Sequence, residues 1–336
     1  MIDVESLKTL CAAALAAAGA PAGDAAASAR ILVEADMMGI GTHGVMRVPG
    51  YTERMVSGGI DARAVPVPER RAPSLLLVDG ANALGTVVGT RALAAAMALA
   101  GESGIAYVGC RNSNHFGAIA PYALEACEAG FVMLAGTNAS TTMPPWGGAG
   151  LRLGNNPVCI AVPCPDAPHF ILDMAMSVAA RGKIRMVLQQ GGRIPEGWAA
   201  DARGQPTTDP AEALAGFLLP FGAHKGSGLA MAVDLLAGVL SGARFLTDVS
   251  SWVDRPDEPQ GLGHFFLLLD PARLVGRDAF AAAMARFRRI VRSTPASDPS
   301  QPVLLPGERE QLRRAAALRD GISIPEALLA QLRALA

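Results

Sequence analysis

The feature that most constrains the fold is a series of short apolar runs, each bounded by polar residues, glycine or proline. The runs are residues 74–79, 105–110, 131–135, 158–162, 170–173 and 264–270. Apolar runs of this length between turn residues predict buried strands. Helical stretches rich in alanine and leucine, such as residues 90–101, separate several of them. This alternation predicts an α/β protein.

Polar side chains gather beside the predicted strands of the middle third of the chain. His115, Asn138, Asn156 and Asp173 lie in loops next to four successive strands. In α/β proteins, ligands bind in loops at the carboxyl ends of the strands. A sheet with a purely structural role needs less polar convergence than this, so we predict a ligand site at these loops.

A second candidate site lies near the N-terminus, in residues 41–47. It contains His43 and Arg47, whose side chains share one face if the segment is helical from His43. An imidazole can exchange a proton near neutral pH, and a guanidinium can hold a carboxylate through two parallel hydrogen bonds. The alternative is a helix end with a solvated arginine and a histidine that only packs.

Composition excludes several classes of partner. Hydrophobic residues make up 51% of the chain, charged residues 18%, and the formal net charge is -1. This balance argues against a nucleic-acid partner or an anionic membrane surface and favours a small molecule. No apolar segment approaches the roughly 20 residues of a membrane span. The five scattered cysteines form no CxxC pair, which predicts reduced thiols in the cytoplasm and no metal site.

The common nucleotide-binding and hydrolase motifs are absent. The nearest approach to GxGxxG, residues 148–154, misses by one position and does not follow a strand, so a standard Rossmann domain is excluded. Gly182-Lys183 lacks the rest of a P-loop, and neither GxSxG nor HExxH occurs. A glycine-rich turn, residues 222–228, precedes an apolar helix and carries Lys225. It predicts an anion-binding turn, with a purely packing role as the alternative.

Ten segments between about residue 35 and residue 310 together resemble one known family. They are Thr42-His43-Gly44 with Arg47, Arg111–Gly117, Thr137-Asn138, Pro145–Gly148, Gly154–Pro157, Asp173–Ser177, Ile194–Trp198 with Asp201, Pro206–Pro210, His224–Gly226 and Pro306-Gly307. In this order they are similar to the malate/L-lactate dehydrogenase family. That non-Rossmann group includes sulfolactate and ureidoglycolate dehydrogenases, 2,3-diketo-L-gulonate reductase and Δ1-piperideine-2-carboxylate reductase.

The resemblance implies an α/β fold like that of L-sulfolactate dehydrogenase. A non-Rossmann, mixed-sheet NAD(P)-binding domain is expected over residues 106–274. A helix-rich domain for substrate binding and dimerisation is expected from both chain ends, residues 1–105 and 275–336. The family also implies a homodimer.

The resemblance further implies hydride transfer between NAD or NADP and a carbon next to a carboxylate. His43 corresponds to the proton donor and acceptor, with the Thr42 hydroxyl beside it, and Arg47 to the carboxylate clamp. His115 lies in the substrate pocket and holds the acid/base role in some members. Asp173 is expected to orient an imidazole or to touch the cofactor. The expected cofactor contacts are Ser140, Asp173, Met174, Ala175, His224, Lys225, Pro306, Gly307 and Glu308.

Three functions remain open at the level of sequence. The first is oxidation and reduction of a small 2-oxo acid/2-hydroxy acid pair. The second is reduction of a cyclic imino acid, which Ser227 in the turn Lys225-Gly-Ser-Gly228 weakly favours. The third is a nucleotide-binding protein without catalysis. The sequence does not decide between NAD and NADP.

Overall fold

The structure, a computed structural model, describes all 336 residues, and helices dominate both ends of the chain. The α-helices are α1 (Val4–Ala17), α2 (Ala22–Met37), α3 (Val48–Ser57), α4 (Gly85–Ser103), α5 (Ala120–Glu128), α6 (Arg181–Gln189), α7 (Pro210–Ala215), α8 (His224–Asp234), α9 (Pro271–Val275), α10 (Arg277–Arg292), α11 (Glu308–Asp320) and α12 (Glu326–Leu335). None of them combines the length and the apolar character that crossing a membrane requires.

A mixed seven-stranded sheet forms the centre of the molecule. Its strands are β1 (Val67–Ala72), β2 (Leu75–Asp79), β3 (Ile105–Ser113), β4 (Val132–Thr137), β5 (Val158–Val162), β6 (Phe170–Met174) and β10 (Leu262–Leu269), in the order β1-β2-β3-β10-β4-β5-β6. Only β2 and β3 pair in parallel. The predicted mixed, non-Rossmann sheet is therefore confirmed. A small second sheet contains β7 (Ala199–Ala200), β8 (Pro206–Thr207) and β9 (Phe217–Leu218).

Strand directions bring the predicted polar loops to one edge of the large sheet. Because β10 lies between β3 and β4 and is antiparallel to both, the carboxyl ends of β3 and β4 point the same way. Strand β6 runs in that direction too, whereas β5 is reversed and begins at this edge. Loops from the ends of β3, β4 and β6 thus meet the loop that precedes β5.

The two chain ends build one helical layer. The main-chain N–H of Ile2 donates to the Ile322 carbonyl at 2.9 Å, and Ile322 donates back at 2.8 Å. Helices α1, α2, α3 and α12 share an apolar core that includes Leu15, Leu32 and Leu332. The mostly helical part from both chain ends is therefore confirmed. The division at residues 105 and 275 stays a prediction, and β1 and β2 join the sheet although they precede residue 105.

Two covered faces support the sheet. Helices α4 and α5 pack on one face through residues such as Val88 and Tyr122, which contact Val108 and Phe266 in the main core. Helix α8 and the π-helical turn Leu235–Val239 cover part of the other face, around Phe265. Ile31 and Met38 from the N-terminal region pack in the same core as α4 and α5. The turns of residues 41–47, which follow α2, therefore lie at the sheet edge.

Three local features could not be read from the apolar pattern. Residues 67–72 form the edge strand β1, which is almost fully exposed and so lacks an apolar pattern. The polar stretch after residue 185 begins inside α6 and continues into the small sheet. Residues 41–47 are not α-helical but form two 3-10 turns, Gly41–His43 and Val45–Arg47.

Candidate active site

A cavity of about 500 Å³ opens at the sheet edge where the polar loops meet. Its wall includes Thr42 and His43 from the N-terminal turns, His115 after β3, and Asp173 at the end of β6. A volume of this size lies within the range of ligand sites, about 300–1,000 Å³. The two sites predicted separately from the sequence therefore form one site.

A buried carboxylate holds the turn that carries His43. Asp36 of α2 accepts a hydrogen bond from the Val45 N–H at 2.7 Å. A Cβ on Gly44 would lie 2.3 Å from the Asp36 carboxylate oxygens, so only glycine allows this approach. Burial raises the pKa of Asp36 to about 6. The Asp36 carboxylate thus holds the turn, although burial disfavours its charged form.

The two histidines stack against each other at the cavity wall. The ring centroids of His43 and His115 lie 5.5 Å apart, with an angle of 19° between the planes. The His43 Nδ1 lies 3.0 Å from the Thr42 hydroxyl. Burial, assisted by Arg47, lowers the pKa of His43 to about 4, and burial lowers the pKa of His115 well below its usual value. Both rings are therefore neutral near pH 7 in the free protein.

Tyr51 of α3 holds one side of the His115 ring. Its hydroxyl lies 2.8 Å from the His115 Nδ1 and 3.1 Å from the His115 carbonyl oxygen. The Gly117 N–H lies 3.4 Å from the same Nδ1, so both contacts engage this ring nitrogen. The His115 Nε2 forms no hydrogen bond within the chain. A neutral ring with a free nitrogen at a cavity wall can exchange a proton with a ligand.

Arg47 lies beside the histidines and keeps most of its donors free. Its Nε donates to the Thr42 carbonyl at 2.7 Å, which is the only hydrogen bond of this side chain. It forms no ion pair with a carboxylate of the chain. Burial lowers the pKa of Arg47, and the nearby Arg185 adds to this effect. An unpaired guanidinium here favours an anionic ligand group.

Asp173 contacts a helix rather than an imidazole. One carboxylate oxygen accepts the N–H groups of Ile119 and Ala120, at 3.0 and 2.8 Å, at the start of α5. Burial nevertheless raises its pKa to about 6. In this structure Asp173 therefore forms no hydrogen bond with a histidine. It lies on the cavity wall, and its contact with a cofactor stays a prediction.

Most of the expected cofactor residues line the same cavity. They are Ser140, Asp173, Met174, Ala175, Pro306 and Gly307. His224 and Lys225 are exposed and lie off the cavity wall. Glu308 is buried and pairs with Arg288, with Oε1 and Nε 2.8 Å apart. The structure therefore brings together six of the nine residues.

The glycine-rich turn before α8 already uses several of its main-chain donors. The N–H groups of Lys225, Gly226 and Ser227 bond to carbonyl oxygens of residues 221–223. Ser227 is buried, and its hydroxyl accepts the Trp146 N–H at 2.9 Å. In this turn, Ser227 therefore serves local packing. Its weak indication of an imine substrate has no support from this contact.

Sequence reasoning missed three residues of the site, Tyr51, Trp252 and Gln260. Tyr51 lies four residues after Arg47, so its position in the next helical turn could have indicated it. Trp252 and Gln260 line the cavity from a loop far along the chain, and Gln260 accepts the His115 N–H at 3.0 Å. No local sequence signal indicates that loop. The structure contains no group of three or more histidine, cysteine, aspartate or glutamate side chains placed to hold a metal.

Comparisons with known proteins agree with this geometry. Residues 2–333 match the family model described as malate/L-lactate dehydrogenase. The chain is 35% identical to (2R)-3-sulfolactate dehydrogenase (NADP(+)) of Chromohalobacter salexigens, over 100% of this chain and 98% of that protein. It is 36% identical to Delta(1)-pyrroline-2-carboxylate reductase of Ancylobacter novellus, over 99% and 97%. The solved sulfolactate dehydrogenase of Methanocaldococcus jannaschii superposes with a TM-score of 0.92 at 34% identity, covering 99% and 96%.

Proposed function

The chain belongs to the malate/L-lactate dehydrogenase family, and from that premise we propose the reaction it performs and the residues that perform it. It is an NAD(P)-dependent oxidoreductase that transfers a hydride between the nicotinamide and a small 2-oxo acid/2-hydroxy acid pair. One observation carries the assignment to this site. His43 and His115, both neutral near pH 7, line the same cavity as six of the expected cofactor residues, and Arg47, which has no ionic partner, is bonded to the lining residue Thr42.

The residues at the cavity fit a nicotinamide cofactor. Strand β6 is the edge strand of the sheet, and its Ile171 N–H points outward to the Pro306 carbonyl at 2.9 Å. Asp173, two residues on, directs its main-chain N–H and C=O to the same outer edge, because strand groups alternate. These groups, with Ser140 and the Pro306-Gly307 turn, would hold the cofactor. When bound, it supplies or accepts the hydride.

The chain's own residues bind the substrate and move its proton. Arg47 holds the substrate carboxylate through its free donors, which fixes the face of the reacting carbon. A neutral His43 or His115 takes the hydroxyl proton during oxidation through its free ring nitrogen. In reduction the bound carboxylate offsets the charge of Arg47, which lifts the pKa of His43 and favours the protonated donor. The Thr42 hydroxyl orients the His43 ring.

The test is a panel of 2-oxo acids offered with NADH and with NADPH and followed by nicotinamide absorbance. We expect turnover of at least one small member, such as pyruvate, oxaloacetate or sulfopyruvate. Turnover of Δ1-pyrroline-2-carboxylate or Δ1-piperideine-2-carboxylate alone would favour the imino-acid reductase, which the similarity to the Ancylobacter novellus enzyme supports. Cofactor binding without turnover of any compound would indicate the nucleotide-binding protein without catalysis.

We also propose that the protein is a homodimer. Helix α10 has no buried residue, and its Phe287 and Ile290 side chains are 50% and 59% exposed. Ile105, Ile160 and Leu269 are exposed on strands of the large sheet. A second copy would cover such apolar surface. Light scattering after size-exclusion chromatography is expected to give twice the chain mass, and a single chain mass would contradict the proposal.

The cysteines support a cytoplasmic location, which we propose as well. All five are unpaired and buried, as expected for a protein that stays in a reducing compartment. Burial raises the pKa of Cys110 and Cys159 above the usual thiol value, so both remain protonated and unreactive. Cell fractionation followed by detection of the chain tests the location.

A further inference from the structure

Arg54 of α3 is a buried guanidinium without an acidic partner. It is 1% exposed and forms no ion pair with a carboxylate. Arginine is almost never buried in this way unless it is paired. Its donors bond to three main-chain carbonyl oxygens instead, those of Trp252 at 3.1 Å, Arg255 at 2.9 Å and Glu258. A cation withdrawn from water is therefore used to hold one loop.

That loop, residues 249–261, is named here the tryptophan loop. It connects the 3-10 turn Leu246–Asp248 to the start of β10. Two of its side chains, Trp252 and Gln260, line the active-site cavity. The loop thus forms part of the site, and Arg54 joins it to the helix that carries Tyr51.

The Trp252 ring packs directly against the catalytic region. Its centroid lies 5.3 Å from the His115 ring and 5.4 Å from the Tyr51 ring, with an edge-on angle of 71° to the latter. The Arg54 Cζ lies 4.9 Å from the same indole. Cation–π contact with a tryptophan is the strongest of its kind. Arg54 therefore fixes both the main chain and the side chain of Trp252.

Two glycines allow the loop to lie this close to α3. A Cβ on Gly50 would lie 3.1 Å from the Trp252 ring, and one on Gly59 would lie 2.1 Å from the Pro256 carbonyl oxygen. The Ser57 hydroxyl also donates to that carbonyl at 2.9 Å. The loop is consequently packed against the helix along its length.

We propose that Trp252 determines the size of substrate side chain that the cavity accepts, and that Arg54 is the positioning residue that keeps the indole against His115. The inference rests on the proposed function, because it concerns the substrate end of that cavity. A bulky, fixed indole beside the acid/base group leaves room for small 2-oxo acids and excludes branched or aromatic ones. Replacing it enlarges the cavity on the side of the reacting carbon.

The first experiment compares Trp252→Ala and Trp252→Phe with the wild type on glyoxylate, pyruvate, 2-oxo-4-methylpentanoate and phenylpyruvate. For Trp252→Ala we expect kcat/KM for the two large acids, relative to pyruvate, to rise at least about tenfold, in line with the effect of pocket volume on specificity. Trp252→Phe should lie between. An unchanged ratio in both variants overturns the proposal. Trp146→Phe, which alters an exposed indole away from the cavity, is the matched control.

The second experiment tests Arg54 without relying on turnover. In a background of Trp146→Phe and Trp198→Phe, Trp252 is the only tryptophan, and its emission should change on addition of pyruvate or the unreactive analogue oxamate. Adding Arg54→Lys, which keeps the charge but cannot reach three carbonyls, should shift the resting emission and relax the size ratio in the same direction as Trp252→Ala. Unchanged emission and an unchanged ratio would show that Arg54 does not position the indole.

These readouts separate the two proposals. If the wild type reduces no 2-oxo acid, the proposed function fails, and Trp252 emission still decides the inference. The inference is supported if Trp252 emission changes with pyruvate but not with phenylpyruvate. In Trp252→Phe, which lacks this emission, calorimetry should then detect binding of both acids. No response to either acid overturns it.

Discussion

Two regions at the same sheet edge each hold a histidine, and the two rings differ in whether a ring nitrogen remains without a hydrogen bond. His264, on β10, is fully buried, with Nδ1 2.7 Å from the Thr137 hydroxyl and Nε2 2.7 Å from the Ser113 hydroxyl. Phe116 stacks on it at 4.1 Å. His115, at the cavity rim, uses Nδ1 for Tyr51 and leaves Nε2 free. The interior histidine is satisfied, whereas the rim histidine is not.

This difference shows why a shifted pKa does not identify a catalytic group by itself. Burial lowers the pKa of His264 to about 3 and lowers the pKa of His115 as well. Perturbed groups occur in structural networks and in active sites alike. Unused hydrogen-bonding capacity at a cavity wall separates the two cases. The comparison can be tested by removing groups from each region.

The largest effect is expected from the rim histidines. His43→Ala and His115→Ala are made separately, and the variant that lacks the proton-transferring ring should lose about 10²–10⁴ in kcat. For His43→Ala the unfolding free energy should change by less than about 1 kcal/mol. For His115→Ala it should fall by up to about 3 kcal/mol, because the buried Tyr51 hydroxyl loses a partner. Steady-state kinetics and urea unfolding measure the two quantities. His169→Ala, at a partly exposed position off the cavity, is the control.

If both variants keep near-wild-type turnover, neither His43 nor His115 transfers the proton. If only one variant is impaired, the histidine it lacks is the one that transfers the proton. The sequence left this choice open because both residues occur in segments that resemble the family. The structure stacks them, so the choice rests on kinetics.

Short apolar runs made much of this fold predictable. Residues 158–162 form β5 at the predicted bounds, because an isolated apolar run between Pro157 and Pro163 has few alternatives. Strand β1 could not be found in this way. Its sequence Val-Pro-Glu-Arg-Arg-Ala lies at the sheet edge, where charged side chains face water and no alternation is needed.

The site was predictable only where its residues are close in sequence. His43 and Arg47 belong to one segment, and His115 and Asp173 follow apolar runs. Trp252 reaches the cavity through contacts with Arg54, 198 residues away in sequence, so no local pattern encodes it. The condition for a shared helical face of His43 and Arg47 is not met, because their segment forms two 3-10 turns, with the Val45 N–H bonded to Asp36 beside Gly44.

Asp36, which holds the turn that carries His43, is tested through the pH dependence of stability. The folded pKa of Asp36, about 6, lies above its unfolded value of 3.8. The native state therefore binds more protons between these values, and this contribution to stability is full below about pH 4 and is lost as pH rises through 6. Asp36→Asn keeps an acceptor for Val45 and removes the titration. At pH 7 the variant should be more stable by up to about 3 kcal/mol.

Urea unfolding of both proteins from pH 4 to pH 8 measures this contribution. Asp173 has a similar shift but is present in both proteins, so it cancels in the difference. We expect the two stability curves to converge at low pH, to separate between about pH 4 and pH 6, and to keep a constant difference above pH 6. Curves that stay parallel from pH 4 to pH 8 would show that burial does not destabilise the charged form of Asp36.

Arg47→Lys tests the anion clamp at the rim. A lysine keeps the charge but offers no planar pair of donors. Loss of one charge-assisted hydrogen bond, about 1.5–3 kcal/mol, corresponds to a decrease of about 10–100-fold in kcat/KM for a carboxylate substrate. Arg193→Lys, whose guanidinium contacts only Thr208, should change kcat/KM by less than about twofold. Equal effects in both variants would contradict a specific clamp.

The smallest effect is expected from the interior, and it should appear in stability rather than activity. His264→Leu preserves most of the ring volume but removes both nitrogens, so the Ser113 and Thr137 hydroxyls lose a partner. Thr137 still donates to main-chain carbonyls at 2.9 and 3.0 Å, which limits the cost to about 1–2 kcal/mol. At pH 7.5 the kcat of the folded variant should stay within about twofold of the wild type, because the ring is bonded on both sides and does not reach the substrate. A loss of kcat comparable to that of the rim variants, with unchanged stability, would place His264 in the reaction.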